Sequence, residues 1–373
     1  MLVVLRVKES PPFLWGIFIL SRRYLPSDMF LRILFFSICV SLPILSKSQT
    51  LGGSATYNFL KLQQIPEAAA LGGKNVSQLN AGLSFLAENP ALLREKHHLQ
   101  GAANFTFLSQ GMTGLLGLVG YHERKSGTNF ALGLSHLLYG EEIQTDAGGN
   151  ILGNFRAYDQ VVSISASREY GSRWNYGLTL KLVRSQYGSF SSTGIAGDAG
   201  ITYNDTSRML QIGFSVKNMG AQLKTYSGVG EDLPFDMLLG ISKQLDKAPF
   251  RFSITGQRLH IFDVIYNDTA FNTENFGRPG LAGWGDKLIS HFILGSELLL
   301  GEKVTISAGY NILRRKELSI RNVASGLTGF SYGLNLNLSN LQFHYARTHF
   351  QSGLSHHLVS VNYQLSRAGK DQK

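Results

Sequence analysis

The chain has 373 residues, of which 43% are hydrophobic, 11% aromatic and 16% charged, with 41 glycines. That mix is too apolar and aromatic for a disordered chain, and past the N-terminal region no run of about 18 apolar residues suggests a membrane-spanning helix. The net charge is +10; six basic and two acidic side chains precede Gln49, leaving +6, spread over turns and loops rather than a stripe, so no nucleic-acid partner is expected.

Residues 1–48 read as a secretory signal peptide. Met29-Phe-Leu-Arg32 is followed by an apolar run to Leu45 and by small residues at Ser46 and Ser48 ahead of Gln49. Met29 is an alternative true start. Phe13 to Leu20, before Arg22 and Arg23, allows a longer signal or a short anchor instead. Cys39, the single cysteine, falls in this stretch, and Ile38 stands before it where lipidation wants a small residue, so the mature chain is expected to carry no thiol chemistry.

Residues 49–97 lack strand alternation. Ala68 to Leu71 predicts a helical turn stopped by Gly72. Pro90 to Leu93 predicts another, with Asn89 as its cap and Pro90 in the first helical position. A short, partly apolar segment ahead of a barrel belongs in the lumen, so 49–97 is expected to be a plug in which Asn89 and Pro90 are central.

From His98 to Leu365 the pattern changes to segments in which large apolar residues alternate with small or polar ones. Val304, Ile306, Ala308 and Tyr310 alternate with Thr305, Ser307, Gly309 and Asn311. Successive strand side chains point to opposite faces, so each segment has one apolar face. Strands are predicted at His98–Leu108, Thr113–Glu123, Thr128–Leu138, Gly153–Ser167, Arg173–Tyr187, Gly194–Asn204, Arg208–Lys217, Pro234–Leu245, Pro249–Leu259, Leu288–Leu299, Glu302–Ile312, Ser325–Leu338, Leu341–Phe350 and Ser355–Leu365. Turns after even-numbered segments are short and rich in Gly, Asn, Asp and Ser, as tight hairpins require. Longer pieces follow odd-numbered segments, chiefly Tyr139–Leu152, Asn218–Leu233, His260–Lys287 and Leu313–Ala324.

The fold expected is therefore all-β: a transmembrane antiparallel β-barrel of about 14 strands in the outer membrane, with an N-terminal luminal segment, residues 98–365 as the barrel and 366–373 as a periplasmic tail. A water-soluble sandwich is the rival, because sets such as Phe250, Phe252 and Ile254 could pack a soluble core equally well. Phe214, between Ile212 and Val216, is expected to face lipid, and a Ser at Gly213 on the opposite face to matter less than an Arg at Phe214.

No hydrolase, kinase or dinucleotide motif is present. Glu141, Glu142 and Asp146 lack the spacing of a calcium loop, and His97-His98 and His356-His357 are adjacent pairs that face opposite ways on a strand. No catalytic residue, cofactor or metal is expected. The long loops carry what remains. His260–Lys287 offers apolar anchors in Phe262, Tyr266, Phe271 and Trp284, and Leu313–Ala324 offers cations in Arg314, Arg315, Lys316 and Arg321, a combination suited to docking a partner.

Several segments together resemble a known family. Ala69-Ala-Leu-Gly-Gly-Lys-Asn-Val76, Glu88-Asn-Pro-Ala-Leu-Leu93, Leu233-Pro-Phe-Asp-Met-Leu-Leu-Gly-Ile-Ser-Lys-Gln-Leu245, Ala248-Pro-Phe-Arg-Phe-Ser-Ile-Thr255, Gly309-Tyr-Asn-Ile-Leu-Arg-Arg-Lys-Glu-Leu318 and Gly326-Leu-Thr-Gly-Phe-Ser-Tyr-Gly333 are similar to the PorV/PorQ group of outer-membrane proteins, themselves similar to FadL-type channel barrels. The resemblance implies a 14-stranded barrel and a non-enzymatic role in type IX secretion. There the attachment complex, which includes PorU, PorV and PorZ, fixes sorting-domain cargo to anionic lipopolysaccharide. The alternative is a FadL-like transporter of hydrophobic small molecules, with the Asn89-Pro90 segment as a movable plug and a strand kink as a side exit. A surface enzyme of phospholipase type lacks a Ser–His–acid set.

Overall fold

The computed structural model describes residues 55–265, 273, 283–318, 326–351 and 354–365. The expected signal peptide, the 366–373 tail, and Tyr266, Phe271 and Arg321 lie outside the described residues.

Fourteen strands form one antiparallel sheet. They are β1 (Gln100–Phe107), β2 (Thr113–Glu123), β3 (Thr128–Thr145), β4 (Ile151–Tyr170), β5 (Trp174–Tyr187), β6 (Phe190–Asp205), β7 (Leu210–Lys224), β8 (Asp236–Gln244), β9 (Phe250–Gly256), β10 (Phe292–Leu300), β11 (Val304–Asn311), β12 (Phe330–Leu338), β13 (Leu341–Gln351) and β14 (Leu354–Gln364). Each pairs with its neighbours in sequence, and β1 pairs with β14, Gln100 opposite Gln364, so the sheet closes. Closure matters because hydrocarbon cannot satisfy the backbone groups of an open sheet edge.

The two faces of the sheet separate sharply. On β5, Leu178, Leu180 and Leu182 point outward and stay 61%, 61% and 55% exposed, while Thr179 between them and Val183 and Ser185 farther along the same inner face are buried. Comparable outward sets run through β3 (Leu132, Leu134), β4 (Val162, Ile164) and β9 (Phe250, Phe252, Ile254). In water such a belt would be a large exposed apolar surface; around a closed barrel it is the lipid-facing band of an outer-membrane protein. Trp174, Tyr176 and Tyr170 mark its turn-side edge, where amphipathic rings suit the interface. By loop asymmetry the short turns are periplasmic and the long loops face outward.

Among the described residues three short α-helices stand apart from the strands: α1 (Pro66–Ala70), α2 (Trp284–Ser290) and α3 (Ile312–Leu318). No helix among the described residues is long and apolar enough to cross a membrane. Differences from the sequence reading concentrate at the outer rim. The expected strand from Leu288 begins at Phe292, because residues 284–290 are helical, and the charged Leu313–Leu318 segment is a helix rather than a loop tip. The expected loop at Tyr139–Leu152 largely continues the β3–β4 hairpin, with Glu141 opposite Arg156 and Thr145 opposite Ile151 beyond a register shift at Leu138. β7 likewise runs on to Lys224. Above the lipid belt both faces are wet, so pairing continues while the apolar alternation that betrays a strand is lost.

Candidate functional site

Residues 55–97 run through the lumen from the outer end to the periplasmic end. Ala55 forms a parallel bridge with Asp232 in the β7–β8 loop. Leu99, just past the segment, donates its N–H to the Gly120 carbonyl near the periplasmic end of β2. Between these ends local sequence sets the path. Pro66 opens α1, which fits because its first N–H has no helical partner; α1 stops where Gly72 and Gly73 adopt φ of 99° and 119°. Asn89 Oδ1 accepts from the Ala91 N–H at 3.0 Å, capping a 3-10 turn over Pro90–Leu92.

The wall is shaped for this segment. Asn89 and Pro90 sit where Gly200 presents no side chain, and a Cβ at Gly213 would collide with the Val76 carbonyl. The inward face of Gly213 meets backbone, not water, so a Ser there would press on the luminal segment. Asn89 Nδ2 also donates to the Val76 carbonyl at 3.0 Å, and Ser77 and Ser242 hydroxyls lie 2.9 Å apart. Buried ion pairs add to the seal. Lys217 reaches Glu88 at 3.3 Å, Lys74 pairs with Asp236, and Arg251 bonds Glu297 at 2.9 Å while Gln78 donates to both Glu297 oxygens at 3.1 and 3.0 Å. Charges this far from water persist only when paired and hydrogen-bonded.

The outer half of the lumen differs in kind. Tyr57, Phe59, Leu137, Val161, Val183, Ala196 and Leu233 pack into one apolar cluster, with Tyr139 and Tyr226 against it. Tyr139 and Tyr187 donate to Asp159 at 2.5 and 3.2 Å, and their ring centroids are 5.4 Å apart. Beside this cluster the wall is irregular. The β6–β7 register shifts between Gly197 and Ala199. At the shift, Asp198 accepts from the Asn218 N–H at 2.8 Å and from Lys181 at 2.6 Å. β7–β8 pairing ends at Lys217 opposite Asp236, so beyond Lys217 the β-ladder of β7 runs along β6 alone. The notch is covered from inside by the β7–β8 loop, where Asn218 Nδ2 donates to the Pro234 carbonyl at 3.0 Å.

The loop residues singled out from sequence divide. Phe262 and Trp284 are 48% and 69% exposed, with ring centroids 6.4 Å apart. Lys316 pairs with Asp286, on the same helix α2 as Trp284, at 2.8 Å, and Arg315 donates to the Gly326 carbonyl at 3.2 Å. Arg314 is a correction: it turns inward and is buried. It donates to the Gly72 carbonyl at 2.8 Å and the Ser331 hydroxyl at 3.1 Å, with its guanidinium 4.8 Å from the Phe350 ring centroid. It holds the plug rather than facing a partner. Burial lifts the Glu317 carboxyl above its usual range, against the opposing pull of Arg258 at 3.3 Å, and burial lowers His260. Glu141 pairs with Arg156 at 2.8 Å, and Asp146 binds the Asn150 side-chain amide at 2.8 Å; among the described residues no group of three metal-ligating side chains gathers. Sequence reading missed Lys181, Asp198, Arg251 and Glu297, whose one signal was a charge on an otherwise small or uncharged strand face.

No known domain family and no curated protein matches this sequence. Solved structures do resemble it. A TodX monoaromatic hydrocarbon channel mutant is 15% identical with a TM-score of 0.48, over 82% of this chain and 98% of that one. The CymD monoaromatic hydrocarbon channel is 14% identical with a TM-score of 0.46, over 82% and 97%. A Pseudomonas aeruginosa FadL homologue is 11% identical with a TM-score of 0.40, over 86% and 99%. Likeness this distant does not specify a substrate; the closed sheet and its apolar belt carry the assignment to the outer membrane.

Proposed function

We propose that this outer-membrane barrel is a FadL-like transporter that admits hydrophobic small molecules past an internal plug. The observation that carries the reading is the position of the apolar, tyrosine-rich cluster in the outer lumen, directly beside the break between β6, β7 and β8. An apolar solute needs shelter from water on its way in, and pockets for such solutes are mostly apolar with a few placed polar groups; Asp159 and its tyrosines supply those. A wall notch gives it a lateral way into lipid without crossing the charged plug. In this reading no group performs bond chemistry.

The test locks the plug. Ser77→Cys with Ser242→Cys, in a Cys39→Ser background, places two thiols where hydroxyls now lie 2.9 Å apart, within reach of a disulfide. Uptake of a labelled hydrophobic compound is expected to fall to the level of cells without the protein when the pair is oxidised, and to return on reduction. Uptake unchanged by a verified disulfide refutes a movable plug.

A second reading is favoured by a different observation, the exposed Phe262 and Trp284 at the outer mouth. Exposed aromatics beside cations suit a protein partner. In this reading the chain docks attachment-complex proteins of the type IX secretion system, such as PorZ, PorU and PorV, near anionic lipopolysaccharide. The plug lock leaves such docking intact, so the same variant separates the two readings.

A further inference from the structure

The periplasmic mouth of the lumen holds a cavity of about 600 Å³ that neither reading uses. Its wall comes from the plug (Glu67, Gln78, Asn80), from β9 and β10 (Arg251, Glu297) and from β12 and β13 (Asn335, His344). Five buried residues lining it hold polar atoms with no hydrogen-bond partner: both carboxylate oxygens of Glu67, Oε1 of Gln100, Oδ1 of Asn335, Nδ1 of His344 and Nε of Arg251. Buried polar groups are nearly always satisfied, and each exception asks for an explanation.

Glu67 is the centre of the set. Its side chain is 7% exposed and projects from α1. His344 Nε2 lies 3.3 Å from Glu67 Oε1 but also 3.2 Å from Asn362 Nδ2, which can only donate. Arg251 is already committed to Glu297, and Lys96 also stands in the cavity lining. Both Glu67 carboxylate oxygens thus line the cavity with His344 as their one ion-pair contact among the described residues and with no hydrogen-bond donor. Four of the six unsatisfied atoms are acceptors, so the missing ligand must be rich in donors and positive. Among the described residues no metal-ligating trio is present, which points away from a bare ion. A guanidinium offers five N–H donors in one plane and an ammonium three. The volume is that of a small-molecule site, far larger than one cationic head, and the carboxamides of Asn80 and Asn335 carry both donors and an acceptor, as a peptide backbone requires.

We propose that this cavity is a periplasm-facing binding site for a guanidinium- or ammonium-bearing ligand of short-peptide size, with Glu67 as its charge partner. It stands apart from transport and from outer-face docking, and survives the failure of either.

The experiment is calorimetric titration of the intact barrel in detergent with Gly-Arg-Gly, Gly-Gly-Gly, agmatine and calcium. Saturable binding of Gly-Arg-Gly, at least tenfold tighter than Gly-Gly-Gly, is expected. Agmatine binding as tightly as Gly-Arg-Gly would support the cationic chemistry and assign the source to a free amine. Glu67→Gln should weaken Gly-Arg-Gly at least tenfold, and Asn335→Leu, on the wall rather than the plug, severalfold, while Glu317→Gln at the far mouth leaves it unchanged. If Glu67→Gln fails to assemble, Asn335→Leu decides. No saturable binding by either cation, equal binding of both tripeptides, calcium binding alone, or an unaltered isotherm in the assembled cavity variants overturns the proposal and leaves a cavity filled by water only.

Discussion

Asp198→Ala should be among the most destabilising single changes in the wall, and its size follows from what Asp198 holds. One carboxylate oxygen accepts from Lys181 at 2.6 Å and the other from the Asn218 N–H at 2.8 Å. The Asp198 and Lys181 side chains are 1% and 12% exposed. Without Asp198, Lys181 keeps only the Asn218 Oδ1 contact at 3.0 Å. Stranding a buried charge in this way costs about 3–5 kcal/mol. Adding Lys181→Met removes the stranded charge, leaving an orphan N–H and a weakened Asn218, together about 1–2 kcal/mol. The double variant should therefore be more stable than Asp198→Ala alone by about 1–4 kcal/mol, the difference of those two ranges. Reversible denaturant unfolding of the barrel in a lipid bilayer, followed by tryptophan fluorescence, measures both. A single variant that loses less than about 1 kcal/mol would mean that solvent reaches Lys181 and the pair behaves as a surface ion pair. A double variant no better than the single would show that the lost bulge geometry, not the charge, sets the cost.

Other positions test the faces and the plug. Phe214→Arg puts a charge on the lipid face and should cost roughly 2–4 kcal/mol if near the midplane, read from the same unfolding curves. Gly213→Ser should leave the wall folded but push on the Val76 carbonyl, exposing the plug to trypsin at Lys74; no change in cleavage would mean the plug does not seat there. Arg314→Met takes a charge-assisted donor from the Gly72 carbonyl, a bond worth about 1.5–3 kcal/mol, and should loosen the same segment in the same protease assay. Deleting Asp263 to Gly283 should leave the heat-modifiable gel mobility of the barrel intact, because loops tolerate length change, and should release any protein partner held through the outer mouth.

How much of this molecule was legible depends on the range of the physics involved. The strands were readable because lipid on one side imposes a period of two: Leu178, Leu180 and Leu182 must be apolar wherever the rest of the chain goes. The same solvent argument explains the errors, since the signal vanishes above the lipid, where Glu141 still pairs with Arg156 and β7 still runs to Lys224. Capping is equally local, so Asn89 and Pro90 could be assigned to a turn from neighbouring residues alone. Periodicity, however, says only which way a residue points, not what it meets. Gly213 and Lys181 were both visibly inward, yet one proved to be a seat for the plug and the other half of a buried ion pair. Arg314 shows the same limit from the other side: within its charged run it is indistinguishable from Arg315, and only the distant Gly72 carbonyl makes it a structural donor. In a plugged barrel the lumen is built almost wholly from such long-range encounters. The luminal contacts of Glu67, Glu88 and Glu297 are therefore the part a linear reading sees least, because each depends on which distant strand comes to lie opposite.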